Sequence, residues 1–140
     1  MFFHHFTTKG ERLMSDTISV MVIDDDRIIR ECVAAFLEDE GFVVTTAESG
    51  EEGLKMLRSV SPDVCITDLR LPAMNGREFI VAARHIAPDT GFLIHTGAVF
   101  IITDDLVAAG LSQTDILNKP IHDMGQLTAR IRANVKSSGV

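Results

Sequence analysis

Five short apolar runs alternate along this chain with stretches of helical period, and no other feature constrains the fold more. The runs lie at 18–23, 42–46, 64–67, 92–96 and 116–118; each is strand-sized and most are β-branched. The first, Ile18-Ser19-Val20-Met21-Val22-Ile23, has almost no polar alternation, the pattern of a strand covered on both faces in a parallel sheet. After it, Ile29, Val33, Phe36 and Leu37 recur at helical spacing, with Gly41 placed to end the helix. Ser49-Gly50-Glu51-Glu52 has capping-box spacing, and Leu54, Leu57 and Arg58 carry a second helix onward until Pro62 stops it. Asn75 caps a third, with Phe79, Ile80 and Ala83 on one face, and Thr103 opens a shorter fourth that ends near Gly110. The last runs from about Asp123 to Val135, with Leu127, Ile131 and Val135 one turn apart. A βα unit repeated five times predicts an α/β fold: a single-domain, doubly wound, five-stranded parallel sheet with helices on both faces.

A length of 140 residues allows one domain and a core that needs neither disulfides nor a structural metal. Cys32 and Cys65 both fall in apolar segments without CxxC or Cys/His spacing, so we expect reduced core residues of a cytosolic protein and no zinc. Thirteen basic against 20 acidic residues give a formal charge of −7, which works against nucleic acid and anionic lipid as direct partners. No uncharged run approaches the roughly 18–20 residues of a membrane span, and no signal peptide opens the chain, so the expected location is the cytoplasm. Residues 1–17 lack a period and read as a tail; its adjacent His4 and His5 have no carboxylate or cysteine partner and suggest no metal site. The patterned domain is expected over 18–136, with 137–140 as a second tail.

Ligands of such sheets sit beyond the carboxyl ends of the strands. There stand Asp24-Asp25-Asp26 after the first run, Asp68 after the third, Thr96 closing the fourth and Lys119-Pro120 after the fifth. Like charges about 4 Å apart repel by roughly 1–4 kcal/mol, so a cation, or a carboxylate kept protonated, is required. Oxygen-only donors select a hard ion and suit Mg2+. Metal on one side, Lys119 on the other and the Thr96 hydroxyl make a cradle for a phosphoryl group, with Asp68, a competent nucleophile toward phosphorus, in its middle. A strand-terminal Asp alone commonly caps a helix and a Lys-Pro pair is commonly a turn; their joint placement is what carries the reading.

From about Ile18 to Val135 the chain resembles the receiver domain of bacterial two-component response regulators. The matching pieces are VMVIDDD, PDVCITDLRLPAMNG, HTGA and NKP. The resemblance implies the strand order 2-1-3-4-5. It implies that Asp68 accepts phosphate from a histidine kinase or a histidine phosphotransferase protein. Mg2+ would be held by Asp24, Asp25, Asp68 and the backbone carbonyl of Arg70. Thr96 matches the hydroxyl that shifts toward the phosphoryl group, Lys119 the lysine that pairs with it, and Pro120 the position of a cis peptide. Two departures stand out. Ile116 replaces the aromatic residue of the family's rotamer switch. The stretch between Gly110 and Lys119 is a residue or two longer than the family pattern, and Val99-Phe100-Ile101-Ile102 fills the loop after Thr96. These four are expected to pack beneath the fourth helix; the other reading is a patch for a partner.

The expected function is a stand-alone receiver that takes a phosphoryl group onto Asp68 and changes its affinity for a downstream effector protein. It is not an enzyme beyond self-catalysed phosphorylation and dephosphorylation, and a homodimer is left open. The alternatives are a phosphorylation-independent adaptor on the same fold, a receiver fragment of a larger regulator, and a Mg2+-dependent phosphohydrolase. Intact Asp24, Asp25, Thr96 and Lys119 argue against the adaptor. Against the hydrolase, Arg70 stands two residues after Asp68, where a second acid/base aspartate belongs, and no cap domain is available.

Overall fold

The computed structural model describes residues 17–121 and 123–136. Strands and helices alternate without exception: β1 (Ser19–Ile23), α1 (Arg27–Asp39), β2 (Val43–Ala47), α2 (Gly50–Leu57), β3 (Val64–Thr67), α3 (Gly76–Ile86), β4 (Gly91–Thr96), α4 (Asp104–Ala108), β5 (Ile116–Asn118) and α5 (Met124–Asn134). A 3-10 turn, Gln113–Asp115, precedes β5. The sheet is parallel throughout in the order β2-β1-β3-β4-β5, as expected. His4, His5 and the tail residues 1–16 and 137–140 lie outside the described residues. Among the described residues no helix is long and apolar enough to cross a membrane.

Because side chains alternate across a strand, the central strands feed two separate cores. Met21 and Ile23 of β1, Cys65 of β3 and Phe92 and Ile94 of β4 pack with Phe79, Ile80 and Ala83 of α3 and Leu106 of α4. Val20, Val22, Val64, Ile66 and Leu93 point the other way, onto Val33 and Leu37 of α1 and Leu127 and Ile131 of α5. Each fully buried side chain of this size contributes about 1.5–3 kcal/mol, so both helical layers are held against the sheet, and Phe79 meets Phe92 edge to face at 6.4 Å.

The helix starts place the strand-to-helix loops that carry the polar edge. Asp26 caps α1, accepting from the amides of Ile28 and Ile29. Asn75 and Glu78 form a reciprocal capping box on α3. Gly76 is required there: a Cβ would lie 2.1 Å from the Asp68 carbonyl oxygen, and its amide donates to Leu69 O at 2.8 Å. The first residue of α3 therefore rests directly on the backbone of Asp68.

One expectation fails for a cysteine. Cys65 is buried in β3, and burial pushes its thiol well above the ordinary value, but Cys32 is exposed; both are free thiols. Cys32 sits one turn from Ile28, which is 74% exposed, on the flank of α1 beside the stripe of Val33 and Leu37. An apolar neighbourhood in sequence was not a place on the buried face.

Candidate functional site

The carboxyl ends of β1, β3, β4 and β5 bring the predicted residues to one edge. Asp24 follows β1 and is 2% exposed; its Oδ1 accepts the Asp26 amide at 2.9 Å and its carbonyl accepts Arg30 Nη1 at 2.8 Å. The Asp triplet therefore divides its work. Asp24 turns inward, Asp25 is exposed, and Asp26 is committed to the helix cap. Asp68 follows β3, its amide bonded to Ile23 O at 3.0 Å, and its Oδ1 accepts the Arg70 amide at 3.1 Å. The Arg70 backbone thus lies against the Asp68 carboxylate, while its side chain is exposed.

Lys119 follows β5 and reaches the acids directly. Its Nζ lies 2.7 Å from Asp24 Oδ2 and 2.8 Å from Asp68 Oδ2, so one ammonium bridges two carboxylates. The ammonium offsets part of the like-charge repulsion between Asp24 and Asp68. Burial alone lowers the Lys119 pKa, but its bonds to Asp24 and Asp68 outweigh that and hold it above the ordinary value. Burial raises the Asp24 pKa despite the hydrogen bonds from Lys119 and the Asp26 amide. The Lys119–Pro120 peptide is cis.

Ligand oxygens of Asp24, Asp25 and Asp68 all lie within 4.8 Å of one another. An all-oxygen donor set this close, with Asp25 open to solvent, fits a hard divalent cation that keeps some of its water. Thr96 is fully buried at the end of β4. Its Oγ1 accepts the Ala98 amide at 3.1 Å, and its carbonyl accepts the Lys119 amide at 2.8 Å. Among the described residues no hydrogen bond joins Thr96 to Asp68.

The loop after Thr96 corrects a second expectation. Phe100 and Ile102 pack against the core, whereas Val99 is 94% and Ile101 74% exposed. Only alternate residues pack, so neither four core residues nor a four-residue patch describes the segment. Ile116 is partly buried against the same core.

Sequence reasoning passed over His95. This β4 residue is 6% exposed, and among the described residues its buried Nε2 has no hydrogen-bond partner. Burial, reinforced by the Lys119 charge and opposed by that of Asp68, lowers its pKa to about 4. It lines a cavity of about 410 Å³ together with Ile28, Cys32, Val33, Lys119 and Met124. The available signal was one titratable residue inside an otherwise apolar run, immediately before Thr96.

Comparison with known proteins agrees with this geometry. The profile of the response regulator receiver domain matches residues 20–132. The chain is 34% identical over 119 residues to the cell cycle response regulator CtrA of Brucella ovis, covering 85% of this chain and 50% of that protein. It therefore spans about half the length of the curated relatives it matches. It is similar to a Burkholderia pseudomallei response regulator whose crystal structure holds a phosphorylated aspartic acid, a calcium ion and citrate, at 27% identity and a TM-score of 0.73, covering 84% of this chain and 68% of that one. It is also similar to the response regulator TrrA of Thermotoga maritima in complex with Mg2+ and BeF, at 26% identity and a TM-score of 0.73, covering 85% of this chain and 100% of that one.

Proposed function

The chain belongs to the response regulator receiver domain family of two-component signalling, and on that premise we propose that Asp68 accepts a phosphoryl group from a phosphohistidine-bearing protein, a histidine kinase or a histidine phosphotransferase. The unit that does this is the domain over 18–136. The observation that carries the reading is the shared ammonium: Lys119 binds the carboxylates of Asp24 and Asp68 at once, with Asp25 beside them.

In the transfer, a carboxylate oxygen of Asp68 attacks phosphorus. The P–N bond to the partner's imidazole breaks, its electron pair leaves on that nitrogen, and a P–O bond forms. Asp24, Asp25, Asp68 and the backbone of Arg70 would hold Mg2+, which when bound supplies positive charge toward the transferring oxygens. Lys119 supplies a second, fixed charge from its anchorage after β5. Its position follows from the backbone bond between Lys119 N and Thr96 O at 2.8 Å. The Arg70 amide, already donating to Asp68 Oδ1, orients the nucleophile. The new phosphoryl group adds about −1.5 to −2 of charge and three acceptor oxygens; the Thr96 hydroxyl retains a proton to donate. A change in the Thr96 loop then alters the surface offered to an effector protein.

Intact-mass measurement with acetyl phosphate tests the proposal. Wild type with Mg2+ gains one phosphoryl mass, and Asp68→Asn or excess chelator abolishes the gain. A phosphoryl group retained by Asp68→Asn, or acquired in excess chelator, refutes it.

A further inference from the structure

Two hydrogen bonds from a single side chain hold the segment between β4 and α4. Gln113 Nε2 donates to the Phe100 carbonyl at 2.9 Å, and Gln113 Oε1 accepts from the Ile102 amide at 3.0 Å. In a parallel ladder a residue of the neighbouring strand makes this same pair of bonds, to the carbonyl before and the amide after the residue it faces. The Gln113 carboxamide thus stands in for a strand's peptide group, with Ile101 as the residue faced. The segment behaves accordingly, since Val99 and Ile101 point outward while Phe100 and Ile102 pack inward.

The mount of this side chain is firm. Gln113 opens the 3-10 turn, which Ser112 and Asp115 close reciprocally, with the Ser112 amide 2.8 Å from Asp115 Oδ2. Asp115 is 4% exposed and accepts Arg130 Nη2 at 2.7 Å and Asn134 Nδ2 at 3.1 Å, both from α5. The stretch between Gly110 and Lys119 supplies this turn. At the other end of the loop, the Ala98 amide is bonded to Thr96 Oγ1 and its carbonyl accepts Asn118 Nδ2 at 3.3 Å. Movement of the Thr96 hydroxyl toward Asp68 therefore pulls on Ala98, two residues before a point that Gln113 fixes.

We infer that Gln113 is a positioning residue that latches the loop over 97–103, and that phosphorylation of Asp68 releases the latch. The inference rests on the phosphoacceptor reading above. Two neutral hydrogen bonds of ordinary strength, one partly offset by solvent, bias the held state over the released one by a factor of roughly ten. A ligand shifts such an equilibrium only through its differential affinity for the two states, so removing the latch makes the phosphoryl-accepting state more accessible.

The test uses the full chain with Gln113→Leu, which removes both bonds, and Gln113→Glu, which keeps an acceptor for the Ile102 amide and removes the donor to Phe100. Gln113 is exposed, so neither variant disturbs the core. Hydrogen exchange at the Ile102 amide is measured in chelator, then with Mg2+ and acetyl phosphate, with intact mass followed in parallel. Before phosphorylation, exchange should be about tenfold faster in Gln113→Leu and intermediate in Gln113→Glu. On phosphorylation, wild type should lose Ile102 protection, Gln113→Leu should change no further, and Gln113→Leu should gain the phosphoryl mass several times faster. The inference is overturned by wild type that gains the mass yet keeps Ile102 protected, or by Gln113→Leu that exchanges and phosphorylates at wild-type rates. Absence of any mass gain overturns the phosphoacceptor reading, and the release step with it. The exchange data in chelator decide separately whether Gln113 holds the loop.

Discussion

Lowering the pH from 7 to 5 should cost this fold about 2 kcal/mol through His95 alone. The imidazole is 6% exposed on β4, its Nε2 has no hydrogen-bond partner among the described residues, and burial together with the Lys119 charge lowers its pKa from 6.5 to about 4. The unfolded chain takes the proton near pH 6.5, whereas the folded chain resists it until about 4. Stability from this source is therefore whole above the unfolded value, falls as the pH drops through the window between the two, and levels off below the folded one. Each pH unit inside that window is worth about 1.4 kcal/mol, so the full window amounts to about 3 kcal/mol, and the part above pH 5 to about 2. Urea unfolding of wild type and His95→Leu at both pH values, in chelator, isolates the effect because the other titrating groups cancel in the difference. The variant should lose about 2 kcal/mol less than wild type between pH 7 and 5. At pH 7 it should be at least as stable, because an unpartnered buried nitrogen has been replaced by apolar surface. Equal losses in the two proteins would refute the reasoning. So would a His95 resonance titrating at pH 6 or above in the folded wild type.

Two further substitutions probe the edge itself. Gly76→Ala places a Cβ 2.1 Å from the Asp68 carbonyl, against backbone that cannot rotate away; melting should show a loss of about 3 kcal/mol, with slower phosphorylation of what remains folded. Gly97→Ala, which meets nothing within 4 Å, is the matched neutral control. Lys119→Met leaves the partly buried Asp24 and Asp68 carboxylates without their shared ammonium and should cost about 2–3 kcal/mol at pH 7. Saturating Mg2+ should recover a larger share of stability in the variant than it adds to wild type; an equal gain in both would count against a common acidic site.

The alternation of strands and helices was legible because each element spells its own period: Val33 and Leu37 one turn apart, Val20 and Val22 on one face of β1. That Asp24, Asp25, Asp68, Thr96 and Lys119 meet was also legible, because a doubly wound sheet gathers all its strand ends at one edge. The bridge made by Lys119 was not, since it joins Nζ to a carboxylate 95 positions earlier and depends on the lysine's reach across the crevice. The segment 99–102 gave no alternating signal, because all four residues are apolar; Phe100 and Ile102 face the core while the carboxamide of Gln113, 11 and 13 positions away, holds the backbone on either side of Ile101. Cys32 misled for a related reason, as its apolar neighbour Val33 is buried while Ile28, one turn earlier, is exposed.

Charge balance at the edge explains why a hydroxyl, and not a second cation, stands at the end of β4. Lys119 bridges two of the three clustered carboxylates and Asp25 stands beside them, which leaves about two negative charges uncompensated, and the raised pKa of Asp24, driven by burial, is the local cost. A divalent cation brings the sum near zero. On the proposed chemistry, converting the Asp68 carboxylate to an acyl phosphate removes one carboxylate charge and adds about −1.5 to −2 on the phosphoryl group, so the net change is about one unit or less. Electrostatics alone then gives a weak signal, further weakened in solvent by screening. What changes most is geometry, because three strong acceptor oxygens now extend beyond the reach of the old carboxylate. A buried hydroxyl whose oxygen is already bonded to the Ala98 amide, and whose proton is free to donate, would answer that change by moving its own backbone. A lysine in its place would be satisfied by side-chain motion and leave the loop still. On the proposed chemistry, Thr96 would tie the response to Ala98, and through the segment that follows to Gln113 and α5, turning a small change of charge at Asp68 into a change of surface.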